Sequence, residues 1–205
     1  MGIDIEPTAA ARHTAQPVPA TRIRCYMFTN NEHASRHVAR LVANTIRERN
    51  AVGQPAVLGL PTGSTPMGVY RELVRMHREE GLDFSRCSAF NLDEYVGLPP
   101  NHPESYRRFM NENLFNHINI NIKNTHVPDG TLTDFDAIDE FCDRYEERIE
   151  DVGGIDIQIL GIGRTGHIGF NEPLSAMLSR TRAKALSPQT IAQNAPFFGG
   201  PEYMP

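Results

Sequence analysis

The sequence predicts an α/β fold, in which helices cover both faces of a mostly parallel β-sheet. Short apolar segments alternate along the chain with longer segments in which apolar residues recur at helical spacing. Strands separated by helices pair in parallel through right-handed crossovers, so the crossover helices lie on both faces of the sheet. A length of 205 residues is enough for one such domain with a substantial core.

The predicted elements follow in a regular order. Strands are predicted from the short apolar segments, which span residues 23–28, 55–60, 87–92, 125–130 and 155–163. Helices are predicted between them, at residues 30–50, 66–81, 103–118 and 135–154. The second helix is expected to end at Gly81, since glycine readily adopts the left-handed conformation that closes a helix.

The domain organisation is simple. Residues 1–20 mix Ala, Pro and Thr without a sustained period, and we predict a disordered tail there. Residues 21–205 are predicted to form a single domain. Cys25, Cys87 and Cys142 are odd in number, far apart and without C-x-x-C spacing, which argues against a disulfide framework or a structural zinc site.

The composition excludes several classes of partner. The formal net charge of −5 is spread without blocks of one sign, so neither nucleic acid nor an anionic membrane surface is expected to bind. No segment approaches the roughly 18 apolar residues of a membrane span, and the N-terminus lacks a signal pattern. We therefore expect a cytoplasmic protein whose partner is a small polar molecule.

Three polar loops follow predicted strands, at residues 60–66 ("LPTGSTP"), 91–97 ("NLDEYVG") and 161–173 ("GIGRTGHIGFNEP"). Ligands of parallel sheets bind at the carboxyl ends of the strands. The three loops are therefore expected to open on one edge of the sheet and to form the site together.

The first loop has the character of an anion site. Gly63 permits a tight turn, Ser64 and Thr65 offer hydroxyl groups, and Pro66 suits the first position of a helix, whose N-terminus attracts anions. No Lys follows the glycine, so the loop does not indicate a nucleoside triphosphate. It indicates a phosphate monoester instead. The alternative is that Thr65 only caps the helix.

The second loop places Asp93 and Glu94 directly after a strand. Adjacent carboxylates point in different directions in extended chain, so we do not expect a paired dyad. One carboxylate would face the ligand as a general base, and the other would make a structural bond. An acidic surface loop without a catalytic role is an equal alternative.

The third loop contains Gly161, Gly163 and Gly166 in the G-x-G-x-x-G spacing of a dinucleotide-binding loop. That motif requires a helix after the third glycine and an acid about 20 residues on. Here Gly169 and Pro173 interrupt the following segment, and residues 180–185 ("RTRAKA") are basic. A dinucleotide cofactor is therefore not expected.

The same loop presents His167 and Glu172. A histidine beside a carboxylate is held in one tautomer and exchanges protons near neutral pH, which suits ring opening or enolisation of a sugar. A histidine that only bonds loop backbone is the alternative. No metal is expected, because His167 and Glu172 lack a third clustered ligand.

Taken together, the three loops closely resemble those of the glucosamine-6-phosphate deaminase family, over about residues 23–198. The resemblance implies a Rossmann-like three-layer α/β/α sandwich and conversion of glucosamine 6-phosphate and water to fructose 6-phosphate and ammonia. It implies no organic cofactor, an amino-sugar phosphate as partner, and a homo-oligomer.

The resemblance also implies residue roles. Asp93 matches the base that moves a proton from carbon 2 to carbon 1, His167 matches the histidine that assists ring opening, and Glu172 matches the carboxylate that orients it. The implied substrate-binding residues are Gly63, Ser64, Thr65, Glu94 and Thr165. Arg182 and Lys184 match positions that bind an allosteric activator in some hexameric members, although a solvated basic strand is an equal interpretation.

The chain departs from the family pattern in three places. Thr165 stands where many members carry an Asp, and Pro196 where many carry a phosphate-binding Arg. The family continues beyond the position of Pro205 with a further strand, so one or more C-terminal strands are expected to be missing. Two alternatives to the deaminase are a catalytically weak sugar-phosphate-binding module and a hydrolase like 6-phosphogluconolactonase, and glucosamine and galactosamine phosphates are not distinguished.

Overall fold

The computed structural model describes residues 23–205 and the backbone of Ala15–Pro17. The strands are β1 (Ala15–Pro17), β2 (Tyr26–Phe28), β3 (Val57–Leu60), β4 (Ser88–Asn91), β5 (Thr125–His126) and β6 (Ile157–Gln158). The α-helices are α1 (Asn31–Ala51), α2 (Met67–Glu80), α3 (Tyr106–Asn113), α4 (Phe135–Asp151) and α5 (Pro188–Phe198). Short 3₁₀ turns lie at Phe115–His117, Ile122–Asn124 and Pro201–Tyr203.

The main sheet has four parallel strands in the order β5-β4-β3-β6. Val57 lies opposite Ser88, and Leu60 lies opposite Asn91. Both central strands are buried along their whole length, which explains their nearly continuous apolar sequences. The predicted α/β fold with a parallel sheet is confirmed.

Helices lie on both faces of this sheet. Side chains alternate along the central strands, so apolar residues point to both faces and each face is covered by helices. Leu58 and Leu60 join the larger core, which is built with α1, α2 and α3. Val57 and Phe90 point to the other face and form a smaller core with Tyr145 of α4. The result is the three-layer α/β/α arrangement that the resemblance implies.

The first strand differs from its prediction. β2 pairs antiparallel with β1, in a small sheet separate from the main one. Its side chains are only partly covered, and the rings of Tyr26 and Phe28 lie 5.9 and 5.1 Å from the ring of His37 on α1. Apart from β1, the predicted tail at residues 1–20 and the boundary at residue 21 lie outside the described residues.

Side-chain caps explain where four helices begin. Asn30, Ser105, Asp134 and Ser187 each accept a hydrogen bond from a backbone N–H in the first turn, at α1, α3, α4 and α5. The end of α2 is as predicted, since Gly81 has a left-handed φ of 68°. None of the helices in the described ranges is long and apolar enough to span a membrane.

Two further differences concern the C-terminal third. β6 is much shorter than the predicted strand at residues 155–163, and Leu160 and Ile162 beyond it are 50% and 78% exposed. No described strand pairs with the outer side of β6. Helix α5 was not predicted, although Ser187 before it, Pro188 at its start and left-handed Gly199 at its end are typical helix boundaries.

The core makes a direct prediction about stability. Leu73 on α2 is fully buried, so Leu73→Ala is expected to lower the free energy of unfolding by about 2–5 kcal/mol in urea titrations. Leu178 is 94% exposed, and the matched change Leu178→Ala is expected to stay within about 0.5 kcal/mol of the wild type. Equal losses from both changes would contradict this assignment of the core.

Candidate active site

The loops that follow β3, β4 and β6 meet around a cavity of about 430 Å³. The structure brings five of the predicted site residues to its wall, namely Gly63, Ser64, Thr65, Asp93 and His167. They meet because parallel strands end at the same edge of the sheet, where their loops all emerge.

The loop after β3 turns sharply into α2. Gly63 has a φ of +96°, a left-handed conformation that other residues rarely adopt. Pro66 is the residue before α2, and no side chain caps this helix. The alternative in which Thr65 merely caps α2 is thus not observed. Ser64 and Thr65 are exposed at the helix N-terminus, where the helix dipole favours an anion.

The two carboxylates of the second loop separate. Glu94 Oε2 accepts from Ser105 Oγ at 2.8 Å and from Arg107 N at 3.1 Å, and Glu94 Oε1 accepts from Tyr106 N at 3.1 Å. Glu94 therefore closes the N-terminus of α3, and its side chain does not line the cavity. The structure thus shows a structural contact of Glu94 with α3, and its predicted substrate contact stays a prediction.

Asp93 faces the cavity instead. Burial, reinforced by the negative charge of Glu94 beside it, raises the pKa of the Asp93 carboxyl to about 7. A carboxyl group with this pKa takes up and releases protons near neutral pH, as a general base must.

His167, Thr165 and Glu172 form one hydrogen-bonded group in the third loop. Thr165 Oγ1 lies 2.9 Å from His167 Nδ1 and donates to Glu172 Oε2 at 2.8 Å. Glu172 Oε1 lies 3.6 Å from His167 Nδ1. Thr165 thus bridges the imidazole and the carboxylate. It does not line the cavity, and its predicted substrate contact stays a prediction.

Glu172 is held in its ionised form. Hydrogen bonds from the hydroxyls of Ser187, Thr190 and Thr165 lower the pKa of Glu172 to about 2. The carboxylate is therefore an acceptor at every physiological pH.

Gly163 makes room for the imidazole. A Cβ atom at this position would overlap the His167 ring, and the Gly163 N–H donates to the His167 carbonyl at 2.8 Å. Gly166 has a φ of +87°, which lets the loop reverse between these two residues.

Four polar residues of the cavity wall were not among the predicted site residues, namely Ser35, Thr62, Tyr106 and Asn194. Asn194 lies on α5 and donates to the Tyr95 hydroxyl at 2.9 Å. The rings of Tyr95 and Tyr106 lie 5.1 Å apart. Tyr106 ends the "DEYVGLPPNHPESY" segment and could have been found from that motif. Asn194 could be found only by predicting helix α5.

Arg182 and Lys184 do not line this cavity. They line a second cavity of about 640 Å³, between α4 and residues 179–186, and both are exposed. Arg182 Nη2 donates to Asn171 Oδ1 at 2.8 Å, which ties this segment to the third loop. Among the described residues, no Lys or Arg lines the first cavity, and no cluster of three His, Cys, Asp or Glu could hold a metal ion.

Comparison with known proteins gives a consistent picture. The family model "glucosamine-6-phosphate isomerases/6-phosphogluconolactonase" matches residues 29–186. A glucosamine-6-phosphate deaminase of Shewanella woodyi is 51% identical over 171 residues, covering 83% of this chain and 64% of the relative. One from Thermoanaerobacter is 48% identical over 183 residues, covering 89% of this chain and 70% of the relative. The chain thus spans about two thirds of the length of these relatives.

Solved structures show the same fold. A monomeric glucosamine-6-phosphate deaminase superposes with a TM-score of 0.79 at 43% identity, covering 86% of this chain and 70% of that protein. The 6-phosphogluconolactonase of Plasmodium vivax gives 0.59 at 23% identity, covering 70% of this chain and 49% of that one, which is a likeness of fold alone.

The raised pKa of Asp93 predicts a pH dependence of stability. Since the folded chain keeps this proton up to about pH 7 and the unfolded chain loses it near pH 4, the contribution of Asp93 is most favourable below pH 4 and falls as pH rises to 7. Relative to Asp93→Asn, the wild type should lose up to about 1.4 kcal/mol of unfolding free energy per pH unit in that window. Urea titrations at several pH values measure the difference, and parallel curves would contradict the raised pKa.

Proposed function

The chain belongs to the family of glucosamine-6-phosphate isomerases and 6-phosphogluconolactonases, and from that premise we propose that it converts glucosamine 6-phosphate and water into fructose 6-phosphate and ammonia. The observation that carries the proposal is the shared cavity, which Asp93, His167 and the loop at residues 63–65 line together. An anion site, a base and a proton-exchanging histidine are the groups that this reaction requires.

The phosphate of the sugar binds at the start of α2. The hydroxyls of Ser64 and Thr65 donate to its oxygens, and the helix dipole offsets part of its charge. With Pro196 on α5 and no cationic side chain from the described residues in this cavity, hydroxyl and helix contacts dominate the binding.

Ring opening needs a proton to leave the anomeric hydroxyl and another to reach the ring oxygen. His167 Nε2 accepts the first proton and delivers a proton to the ring oxygen. Nε2 is the nitrogen that acts, because Nδ1 is bonded to Thr165 and the imidazole lines the cavity. The ionised Glu172, 3.6 Å from Nδ1, stabilises the imidazolium that forms after the first transfer. Thr165 alone has no charge to do so.

Isomerisation follows on the open chain. The carboxylate of Asp93 takes the proton from carbon 2 while the aldehyde oxygen on carbon 1 takes up a proton from water, which gives an enolamine. The resulting carboxyl group of Asp93 returns its proton to carbon 1, so that carbon 2 is left as a protonated imine. Water adds to carbon 2, and ammonia leaves with the release of one proton, which gives the ketone. A pKa of about 7 suits both halves of this transfer, since neither the charged nor the neutral form is strongly disfavoured.

The cytoplasmic location and the homo-oligomer remain proposals. Phosphorylated amino sugars are intracellular metabolites, which supports the cytoplasmic location. The solved deaminase with a TM-score of 0.79 is itself described as monomeric, so light scattering of this chain in solution decides the second.

The direct test is product formation by the purified chain. Glucosamine 6-phosphate is expected to yield ammonia and fructose 6-phosphate in equal amounts, while 6-phosphogluconolactone is hydrolysed no faster than in buffer. Asp93→Asn should bind the sugar phosphate yet release no ammonia and exchange no solvent proton at carbon 2. Binding of the amino-sugar phosphate without turnover by the folded wild type would instead assign a binding module.

His167 and Ser64 provide a matched pair of variants. His167→Gln is expected to lower kcat by about 10²–10⁴ with little change in KM, because proton transfer rather than binding is lost. Ser64→Ala should mainly raise KM, because it removes a phosphate contact that is alike in ground and transition states. Steady-state kinetics separate the two, and an equal effect of His167→Gln on kcat and KM would remove His167 from ring opening.

A further inference from the structure

The first turn of α5 is bonded directly to Glu172. Ser187 Oγ donates to Glu172 Oε1 at 2.7 Å, and Thr190 Oγ1 donates to the same oxygen at 2.8 Å. Ser187 is also the N-cap of α5, since its Oγ accepts from Thr190 N at 3.2 Å. Thr190 is only 4% exposed, so its hydroxyl has little access to water. Two hydroxyl groups, one of them buried, therefore converge on one carboxylate oxygen.

The number of available protons fixes the rest of the chain of hydrogen bonds. A carboxylate only accepts, and a hydroxyl carries a single proton. The Thr165 hydroxyl donates its proton to Glu172 Oε2, 2.8 Å away. Thr165 Oγ1 must therefore accept a hydrogen bond from His167 Nδ1, 2.9 Å away. The neutral imidazole then carries its proton on Nδ1, which leaves Nε2 unprotonated.

We infer that Ser187 and Thr190 are positioning residues, which hold Glu172 so that Thr165 donates to it and His167 keeps the Nδ1–H tautomer with Nε2 free as a base. The inference deepens the proposed function, and its kinetic consequence rests on that function. Its structural consequence, the tautomer, does not.

A helix cap alone does not explain these contacts. Capping α5 requires only that the Ser187 oxygen accepts from Thr190 N, and it leaves both hydroxyl protons uncommitted. Here both protons meet the carboxylate oxygen opposite the one that Thr165 uses. Without them, Glu172 is free to turn away, and the Thr165 hydroxyl is free to rotate and donate to Nδ1. That rotation would move the imidazole proton to Nε2 and remove the base.

The test is the tautomer of His167 in the unliganded full chain. The nitrogen chemical shifts of ¹⁵N-labelled histidine distinguish the two tautomers, and the signals lost in His167→Gln identify this residue. The wild type is expected to be mainly Nδ1–H. Thr190→Val keeps the shape of the side chain but removes its proton, and it should show a substantial Nε2–H population. Thr190→Ser restores the hydroxyl and should restore the wild-type shifts.

Kinetics give a second readout. Thr190→Val is expected to lower kcat about tenfold, the effect of one lost hydrogen bond to a charged group, with KM nearly unchanged. Ser187→Ala serves as a second variant if Thr190→Val folds poorly, and it should change the tautomer in the same direction. Asp134→Ala removes the N-cap of α4, outside the cavity, and should leave the His167 shifts unchanged.

The outcomes separate the two proposals. A wild type with its proton on Nε2, or a Thr190→Val protein that folds and keeps the wild-type tautomer, would overturn the inference. A wild type that shows the Nδ1–H tautomer but releases no ammonia would overturn the proposed function and leave the positioning by α5 in place.

Discussion

The parallel pairing of β3 with β4 is the constraint on which the site depends. Both strands are buried on both faces, and the pairing puts Leu60 opposite Asn91 where their loops begin. Side chains secure this edge: Asn91 Nδ2 donates to the Leu60 carbonyl at 2.8 Å, and the Tyr145 hydroxyl lies 2.9 Å from the Asn91 carbonyl oxygen. A slip of one residue would turn Leu58 and Val57 to the wrong cores and separate the loop at residues 60–66 from Asp93.

The site then gives two carboxyl groups opposite properties. Asp93 is desolvated beside the charge of Glu94, which raises its pKa, whereas Glu172 accepts from Ser187 and two further hydroxyls, which lowers its pKa. Environments that make the pKa values of two carboxyl groups differ are typical of sites where one carboxyl exchanges protons and the other stays charged. The difference follows from the surroundings of the two groups, since burial acts on Asp93 whereas three hydroxyl donors act on Glu172.

Sequence patterns revealed what depends on local properties and missed what depends on distant contacts. The buried strands, the turn at Gly63 and the proximity of His167 to Glu172 could be predicted, because apolar runs, glycine and short spacing are local signals. The partner of β2 could not, because an antiparallel and a parallel strand carry similar short apolar sequences. The helix α3 as partner of Glu94 and the contacts of α5 were not predicted, because each depends on residues at least 11 positions away that only the fold brings near.

The glycine spacing of the third loop illustrates why a motif must be judged by what approaches it. In a dinucleotide-binding loop, glycines let the backbone come close to a pyrophosphate ahead of a helix. In this chain no helix follows directly, and the room left by the missing Cβ of Gly163 is filled by the imidazole of His167. A Cβ at Gly169 would lie 3.7 Å from Asp93 Oδ2, so the same loop also passes directly beside this carboxyl group. The glycines thus bring the loop's own histidine and the carboxyl group that follows the neighbouring strand to one cavity.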